Sequence, residues 1–193
     1  MNGLDLALLD LLNFNGGAFF DNLMWYTSSK LTWAPLYIFL LALVIRRQGW
    51  RYALWYLLII IAGVGLADQI CNLFKDGLQF LRPNHTPGVA ETLHSVRGYK
   101  GGLYGTVSAH AALSTVVYLL FGREIGGKAY WWAMGVWLLM TCWSRIYLGA
   151  HFPSQVLFGL ILGTLLSMLL RWLFLRYIAP RIENSKCKIQ DSK

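Results

Sequence analysis

Tyr52-Ala-Leu-Trp-Tyr-Leu-Leu-Ile-Ile-Ile-Ala-Gly-Val-Gly-Leu-Ala-Asp-Gln-Ile-Cys-Asn-Leu-Phe74 carries one charged side chain, Asp68. About 20 apolar residues wound as a helix span the hydrocarbon of a bilayer, so this stretch reads as a transmembrane helix. Working outward, a first span covers roughly Leu31–Ile45 and stops at Arg46-Arg47-Gln-Gly-Trp-Arg51. A third begins near Thr106 and ends at Gly122-Arg123. A fourth runs over Tyr130–Trp143 and on to Tyr147, and a fifth over Pro153–Tyr177. The whole chain agrees with this pattern. Its 193 residues are 56% hydrophobic and only 13% charged, where a soluble domain carries about 25% charged residues. An ordinary soluble domain is excluded.

The expected fold is all-α, an integral membrane bundle of about five transmembrane helices. Residues 1–30 are expected as interfacial amphipathic helices, because residues 4–28 mix Leu, Phe, Met and Trp with Asp5, Asp10 and Asp21 and are broken at Asn13-Phe-Asn-Gly-Gly17. Each piece is too short to span and suits the membrane surface. Residues 31–178 form the transmembrane domain and 179–193 a polar tail. Met1-Asn-Gly-Leu-Asp-Leu has no basic n-region, so no cleavable signal peptide is expected. Cys71, Cys142 and Cys187 lack metal-ligand spacing, and an odd count argues against a disulfide framework, leaving a Cys71–Cys142 pair open.

The formal charge of +8 would point to nucleic acid in a soluble protein. Here the basic residues flank spans, where they orient the chain in the bilayer, and no nucleic-acid partner is expected. Arg46, Arg47 and Arg51, then Arg123 and Lys128, then Arg171, Arg176 and the basic tail alternate with the spans and fall on one side. The positive-inside rule makes that side cytoplasmic. The acidic amino-terminal stretch, the 83–105 connection and the 148–152 turn then face outward.

Three short stretches on that outward side concentrate basic and imidazole side chains: Lys75 to Arg82-Pro83, Ser108-Ala109-His110, and Ser144-Arg145 to His151. Ammonium and guanidinium groups bind phosphoryl oxygens, one imidazole can attack phosphorus, and another can protonate the leaving oxygen. Lys75 and Arg82, seven apart, share one face if the second span continues through both, with Pro83 ending that helix. Thr106 or Ser108 is the expected N-cap of the third span, and the free N–H groups of its first turn favour an anion. Arg145 and His151 face each other across a turn at Gly149, and a buried guanidinium with no carboxylate close in sequence needs an anionic partner. Asp68 lies on the face of Lys75, about 10 Å deeper, where it either pairs with the basic cluster or supplies negative charge to the site. The 83–105 connection, with His85, Glu91, His94, Arg97, Lys100 and a glycine-rich end, reads as a solvated loop, alternatively a lid.

Taken in order, these stretches resemble the tripartite signature of the type 2 phosphatidic acid phosphatase superfamily, helical membrane lipid phosphatases with soluble vanadium haloperoxidases as distant relatives. The resemblance covers the second span to the fifth. It implies His151 as nucleophile through a phosphohistidine and His110 as the acid for the leaving group. Lys75, Arg82, Ser108, Arg145 and the Ala109 main-chain N–H would hold the phosphoryl oxygens. No metal or cofactor is implied. Three positions depart from the pattern: Val107-Ser108-Ala109-His110 stands where Pro-Ser-Gly-His is usual, and Gln155 stands where an aspartate orients the nucleophilic ring. A glutamine oxygen can accept that ring N–H and fix its tautomer, but it cannot neutralise an imidazolium. Asp68 is the candidate for supplying the missing charge.

The expected function is therefore hydrolysis of a membrane lipid phosphate at the periplasmic face of a bacterial inner membrane. Undecaprenyl diphosphate and lipid A phosphate are favoured over phosphatidylglycerol phosphate and phosphatidic acid. Phosphotransfer to another lipid and non-catalytic lipid-phosphate binding are the alternatives, the latter because of Gln155.

Overall fold

The computed structural model describes residues 3–182. Seven α-helices follow in order: α1 Gly3–Leu12, α2 Gly17–Ser28, α3 Ala34–Gln48, α4 Trp50–Leu78, α5 Ala109–Ile125, α6 Lys128–Tyr147 and α7 Pro153–Leu173. A 3₁₀ turn, Lys30–Trp33, leads into α3, and a π turn, Phe174–Ile178, continues α7. Among the described residues, β pairing is confined to one isolated bridge between Leu81 and Tyr104. Helices α3 to α7 form the membrane bundle. Three segments, Lys30–Gln48, Trp50–Leu78 and Pro153–Ile182, are long and apolar enough to cross a membrane by themselves.

Helix α5 is the axis of the bundle and packs against α3, α4, α6 and α7. Ala111, Ala112, Thr115, Val116, Leu120 and Phe121 place buried side chains around its circumference, the pattern of a helix enclosed by others. Its approach to α7 depends on two glycines. A Cβ on Gly159 would come within 2.5 Å of the Ser108 carbonyl oxygen, and one on Gly163 within 2.4 Å of the Ala112 carbonyl oxygen. Small residues are what let two membrane helices bring their backbones together. This contact sets Ser108 and His110, at the start of α5, beside the start of α7. The outward faces of the bundle are apolar, with Ile38, Leu58, Leu73, Leu139, Leu165 and Met168 exposed, as lipid contact requires.

One end of the bundle collects the carboxyl ends of α4 and α6 and the amino ends of α5 and α7. At the other end, Arg171 donates to Glu124 at 2.8 Å, Tyr52 donates to the second Glu124 oxygen at 3.0 Å, and Arg47 donates to the Ile125 carbonyl. These bonds tie α3, α4, α5 and α7 together opposite the chemical motifs.

Helices α1 and α2 fold back onto α6 and α7. Leu9 and Met24 are fully enclosed. Asn13 donates to the carbonyls of Tyr147 (2.5 Å) and His94 (3.2 Å), and Asp5 accepts from Ser154 Oγ at 2.6 Å and from its main-chain N–H at 2.9 Å. The carboxylate at the α7 amino end also complements the helix dipole.

Two sequence expectations change. Helix α4 does not run through Arg82. It stops at Leu78, because Gln79 takes the left-handed conformation (φ 50°, ψ 34°), and Arg82 lies in an extended segment whose N–H bonds the Leu103 carbonyl. The shared helical face of Lys75 and Arg82 is therefore absent, and Pro83 follows the helix end instead of making it. Cys71 and Cys142 are both buried free thiols, while Cys187 and most of the 179–193 tail lie outside the described residues.

Candidate active site

His151 is fixed before α7 by the turn that ends α6. Its N–H and that of Ala150 both bond the Arg145 carbonyl, so the arginine and the imidazole move as one unit. The ring is 2% exposed. Nδ1 lies 3.0 Å from the Gly105 carbonyl oxygen and 3.1 Å from Gln155 Oε1. Both partners can only accept, so Nδ1 carries the proton and Nε2 keeps its lone pair. Burial, then the charges of Arg145 and Arg82, hold the His151 pKa well below that of a free imidazole, against a smaller opposing effect of its Gln155 and Gly105 bonds. A neutral ring with a free Nε2 is a competent nucleophile.

Gln155 occupies the third position of α7. Its Oε1 accepts from the Phe152 N–H at 3.2 Å as well as from His151, and its Nε2 donates to the Leu81 carbonyl at 3.3 Å. Glutamine at this position reaching back to the N-cap amide is half of a capping box. One side chain thus starts the helix and orients the imidazole. Its main-chain carbonyl also accepts from the Ser108 N–H at 3.0 Å, joining α7 to the α5 entrance.

Ser108 is the N-cap of α5, its Oγ accepting from the Ala111 N–H at 3.5 Å, and Thr106 does not take that role. Ala109 and His110 follow in the first turn, where amides have no intrahelical acceptor and attract anions. The His110 ring faces the cavity that Ser28 also lines and lies within the fields of Arg145 and Arg82. Arg145, 3% exposed, donates from Nη1 to Ser28 Oγ and from Nη2 to the Tyr99 phenol oxygen at 3.0 Å. Arg82 donates from Nε to the Tyr104 carbonyl at 3.0 Å, and desolvation together with the neighbouring Arg145 charge lowers its pKa, partly offset by Tyr99. Lys75, in the last turn of α4, bonds Asn72 Oδ1 at 3.1 Å and senses the Arg82 charge.

The structure therefore gathers His151, Arg145, Arg82, His110 and Ser108 through shared neighbours, with Lys75 at the edge. Asp68 is not drawn to His151. It accepts from Asn72 at 3.4 Å, and Lys75 senses its charge directly. The 83–105 connection is solvated on one side, with Glu91, Arg97 and Lys100 exposed, and anchored on the other: Val96 is buried, Asn84 donates to the Lys100 carbonyl at 2.6 Å, and His94 bonds Asp21 at 2.7 Å.

Three participants were missed by sequence reasoning. Gly105 supplies the carbonyl on His151, and a Cβ there would come within 2.6 Å of Arg82, 2.8 Å of Gln155 and 3.3 Å of His151 Nδ1. Tyr99 and Ser28 hold the Arg145 guanidinium. The one available signal was the glycine run ending just before Thr106-Val-Ser108. Ser28 and Tyr99 carry no local mark.

A cavity of about 430 Å³ lies between α3, α4 and α5 and meets this cluster at His110 alone. His110, Ser28 and Lys30 stand at its polar end, and Ile38, Leu57, Ile61 and Phe121 line the rest. Its chemistry is that of a hydrocarbon chain entering beside an imidazole.

Comparison with known proteins fits this geometry. The chain is 32% identical to a lipid A 4'-phosphatase of Bacteroides thetaiotaomicron over 79% of its length and 70% of the relative's. It is 27% identical to a lipid A 4'-phosphatase of Porphyromonas gingivalis over 89% of its length and 73% of the relative's. Its fold superposes on the crystal structure of a transmembrane PAP2-type phosphatidylglycerolphosphate phosphatase from Bacillus subtilis with a TM-score of 0.67, at 20% identity, covering 91% of this chain and 87% of that one. Residues 52–178, which hold all three basic motifs, match the model of the PAP2 superfamily, and the chain belongs to that superfamily.

Proposed function

We propose that this protein is a lipid phosphatase that removes a phosphate monoester from a lipid A-type glycolipid at the periplasmic face of a bacterial inner membrane. The observation that carries the reading is the state of His151: neutral, with Nδ1–H shared between two carbonyl oxygens and Nε2 free, beside Arg145 and Arg82. The two lipid A phosphatase relatives support the substrate class. The basic residues at the opposite end of the bundle support a periplasmic site.

In this reading the phosphate enters among Arg82, Arg145, Lys75 and the first-turn amides of α5. Nε2 of His151 attacks phosphorus, forming an N–P bond as the bond to the lipid oxygen breaks. His110, protonated as the phosphate dianion enters and offsets the nearby guanidinium charges, gives that proton to the oxygen and becomes neutral, and the lipid departs on the side where His110 meets the apolar cavity. A water then attacks the phosphohistidine, His110 takes its proton, and the N–P bond breaks to release inorganic phosphate. The cationic side chains meet the negative charge of the transferring group, which supports a reaction that needs no metal.

The test is phosphate release by detergent-solubilised protein from lipid A, undecaprenyl diphosphate, phosphatidylglycerol phosphate and phosphatidic acid, with chelator present. The expected result is fastest release from lipid A, an acid-labile phosphoprotein on rapid quench, and no release by His151→Ala. Label passing to a second lipid would replace the reading with phosphotransfer. Binding without release by folded protein would replace it with a lipid-phosphate binder.

A further inference from the structure

We propose that Ser28 and Tyr99 are positioning residues that hold the Arg145 guanidinium so that its Nε edge faces the phosphoryl group, an inference that rests on the reading above. They come from outside the three basic motifs, at the end of α2 and in the 83–105 connection.

The guanidinium has five N–H donors in one rigid plane. Ser28 Oγ accepts from Nη1 and the Tyr99 phenol oxygen from Nη2. Nε is buried with no partner among the described residues. Leaving a charged donor buried and unbonded is costly unless a ligand supplies the acceptor. A phosphoryl oxygen is such an acceptor, and side-on engagement through Nε is one of the paired geometries that arginine offers to phosphate. The two hydroxyls therefore fix the rotation of the plane and leave the anion-binding edge open.

Ser28 does a second thing. It also lines the same cavity as His110, so one residue stands between the charge-binding arginine and the acid for the leaving group. Tyr99 also lies near Arg82: Nη1 of that guanidinium and the phenol oxygen would each be 2.9 Å from a Cβ placed on Gly101. The fields of Arg145 and Arg82 lower the Tyr99 pKa despite its burial, in keeping with an oxygen that accepts from cations.

Both residues are held by a rigid roof. The Trp25 ring meets the Tyr99 ring edge to face at 5.9 Å, and the Arg97 guanidinium stacks over Trp25 at 5.0 Å. Arg97 also donates to Asn22 at 2.7 Å, and Trp33 donates to the Thr27 carbonyl at 2.8 Å. Helix α2 and the connecting segment are thereby locked together over the arginine.

The experiment compares the whole protein with Ser28→Ala, Ser28→Thr, Tyr99→Phe and Arg145→Lys. The readouts are kcat, KM, inhibition by inorganic phosphate and thermal unfolding in detergent. Ser28→Ala and Tyr99→Phe are each expected to weaken phosphate inhibition about tenfold, as loss of a hydrogen bond to a charged group does. Ser28→Thr keeps the hydroxyl and restores the parent value. Placed on Arg145→Lys, both changes are expected to lose their effect, because the plane that they orient is gone. Parent-like phosphate inhibition in folded Ser28→Ala and Tyr99→Phe would overturn the proposal, and so would an undiminished effect on the Arg145→Lys background. Failure of the phosphatase reading looks different: the folded parent would then release no phosphate, or release would persist in His151→Ala.

Discussion

Replacing Gln155 with glutamate isolates the charge of the group that orients His151. The two side chains have the same length and shape, so the carboxylate can occupy the place of Oε1, 3.1 Å from Nδ1. Two unit charges about 4 Å apart attract by about 4 kcal/mol at an effective dielectric constant near 20. The amide that donates to Leu81 at 3.3 Å becomes an oxygen facing a carbonyl, and an unsatisfied buried acceptor costs about 1–3 kcal/mol. That cost falls on both ionisation states of His151 and lowers stability; the attraction acts on the imidazolium alone and, less the stabilisation that the Gln155 bond already gives it, raises the His151 pKa by about one to two units at about 1.4 kcal/mol per unit. In the parent, burial and two guanidiniums keep that pKa well below 6.5, so the ring is neutral across the physiological range. In Gln155→Glu the protonated, non-nucleophilic ring persists to higher pH, and the acidic limb of the kcat/KM profile moves upward by the same one to two units. The measurement is a pH series of phosphate release for both proteins on one substrate, so that ionisation of the substrate cancels. Superimposable acidic limbs in two folded proteins would refute the electrostatic account of this site.

Gly105→Ala puts a methyl within 2.6 Å of Arg82, 2.8 Å of Gln155 and 3.3 Å of His151. A misplacement near 1 Å costs about 10²-fold in rate, so kcat is expected to fall by about that factor with the protein still folded, read by phosphate release and circular dichroism. Gly163→Ala meets main-chain atoms of α5, the Ala112 carbonyl oxygen at 2.4 Å, and is expected to lose about 1–3 kcal/mol or more as overpacking, seen as a lower Tm in detergent. Stability should also respond to acid. Because His151 is neutral when folded and its pKa is depressed, the unfolded chain binds the extra proton below about pH 6.5, so Tm falls as pH drops through that value. His151→Ala should flatten this part of the Tm profile.

What the sequence made legible was local. Each basic motif lies at or just beyond one helix end, and the hydropathy spans Tyr52–Phe74 and Pro153–Tyr177 find the helices Trp50–Leu78 and Pro153–Leu173 to within four residues at each end. Even there the reading failed where backbone conformation decided the outcome: nothing in the order Leu78-Gln79-Phe80 announces that Gln79 turns left-handed and frees Arg82 from the helix. The rest of the site was hidden because its partners are far apart in the chain. Ser28 reaches Arg145, Tyr99 reaches it from the other side, and Gly105 reaches His151, and no periodicity encodes such meetings. Gln155 is the instructive case. Measured against the resemblance it is a missing aspartate, whereas measured against the helix it begins it is a glutamine at the third position, where a capping box favours it. The same oxygen serves both purposes, accepting from Phe152 and from His151. The departure is thus no sign of a dead site. The tautomer that aspartate would fix is already fixed by Gln155 together with the Gly105 carbonyl. What glutamine gives up is the anionic charge that would stabilise an imidazolium, and under the proposed attack by a neutral His151 through Nε2 the lost charge bears on rate and pH dependence and leaves the geometry of attack intact.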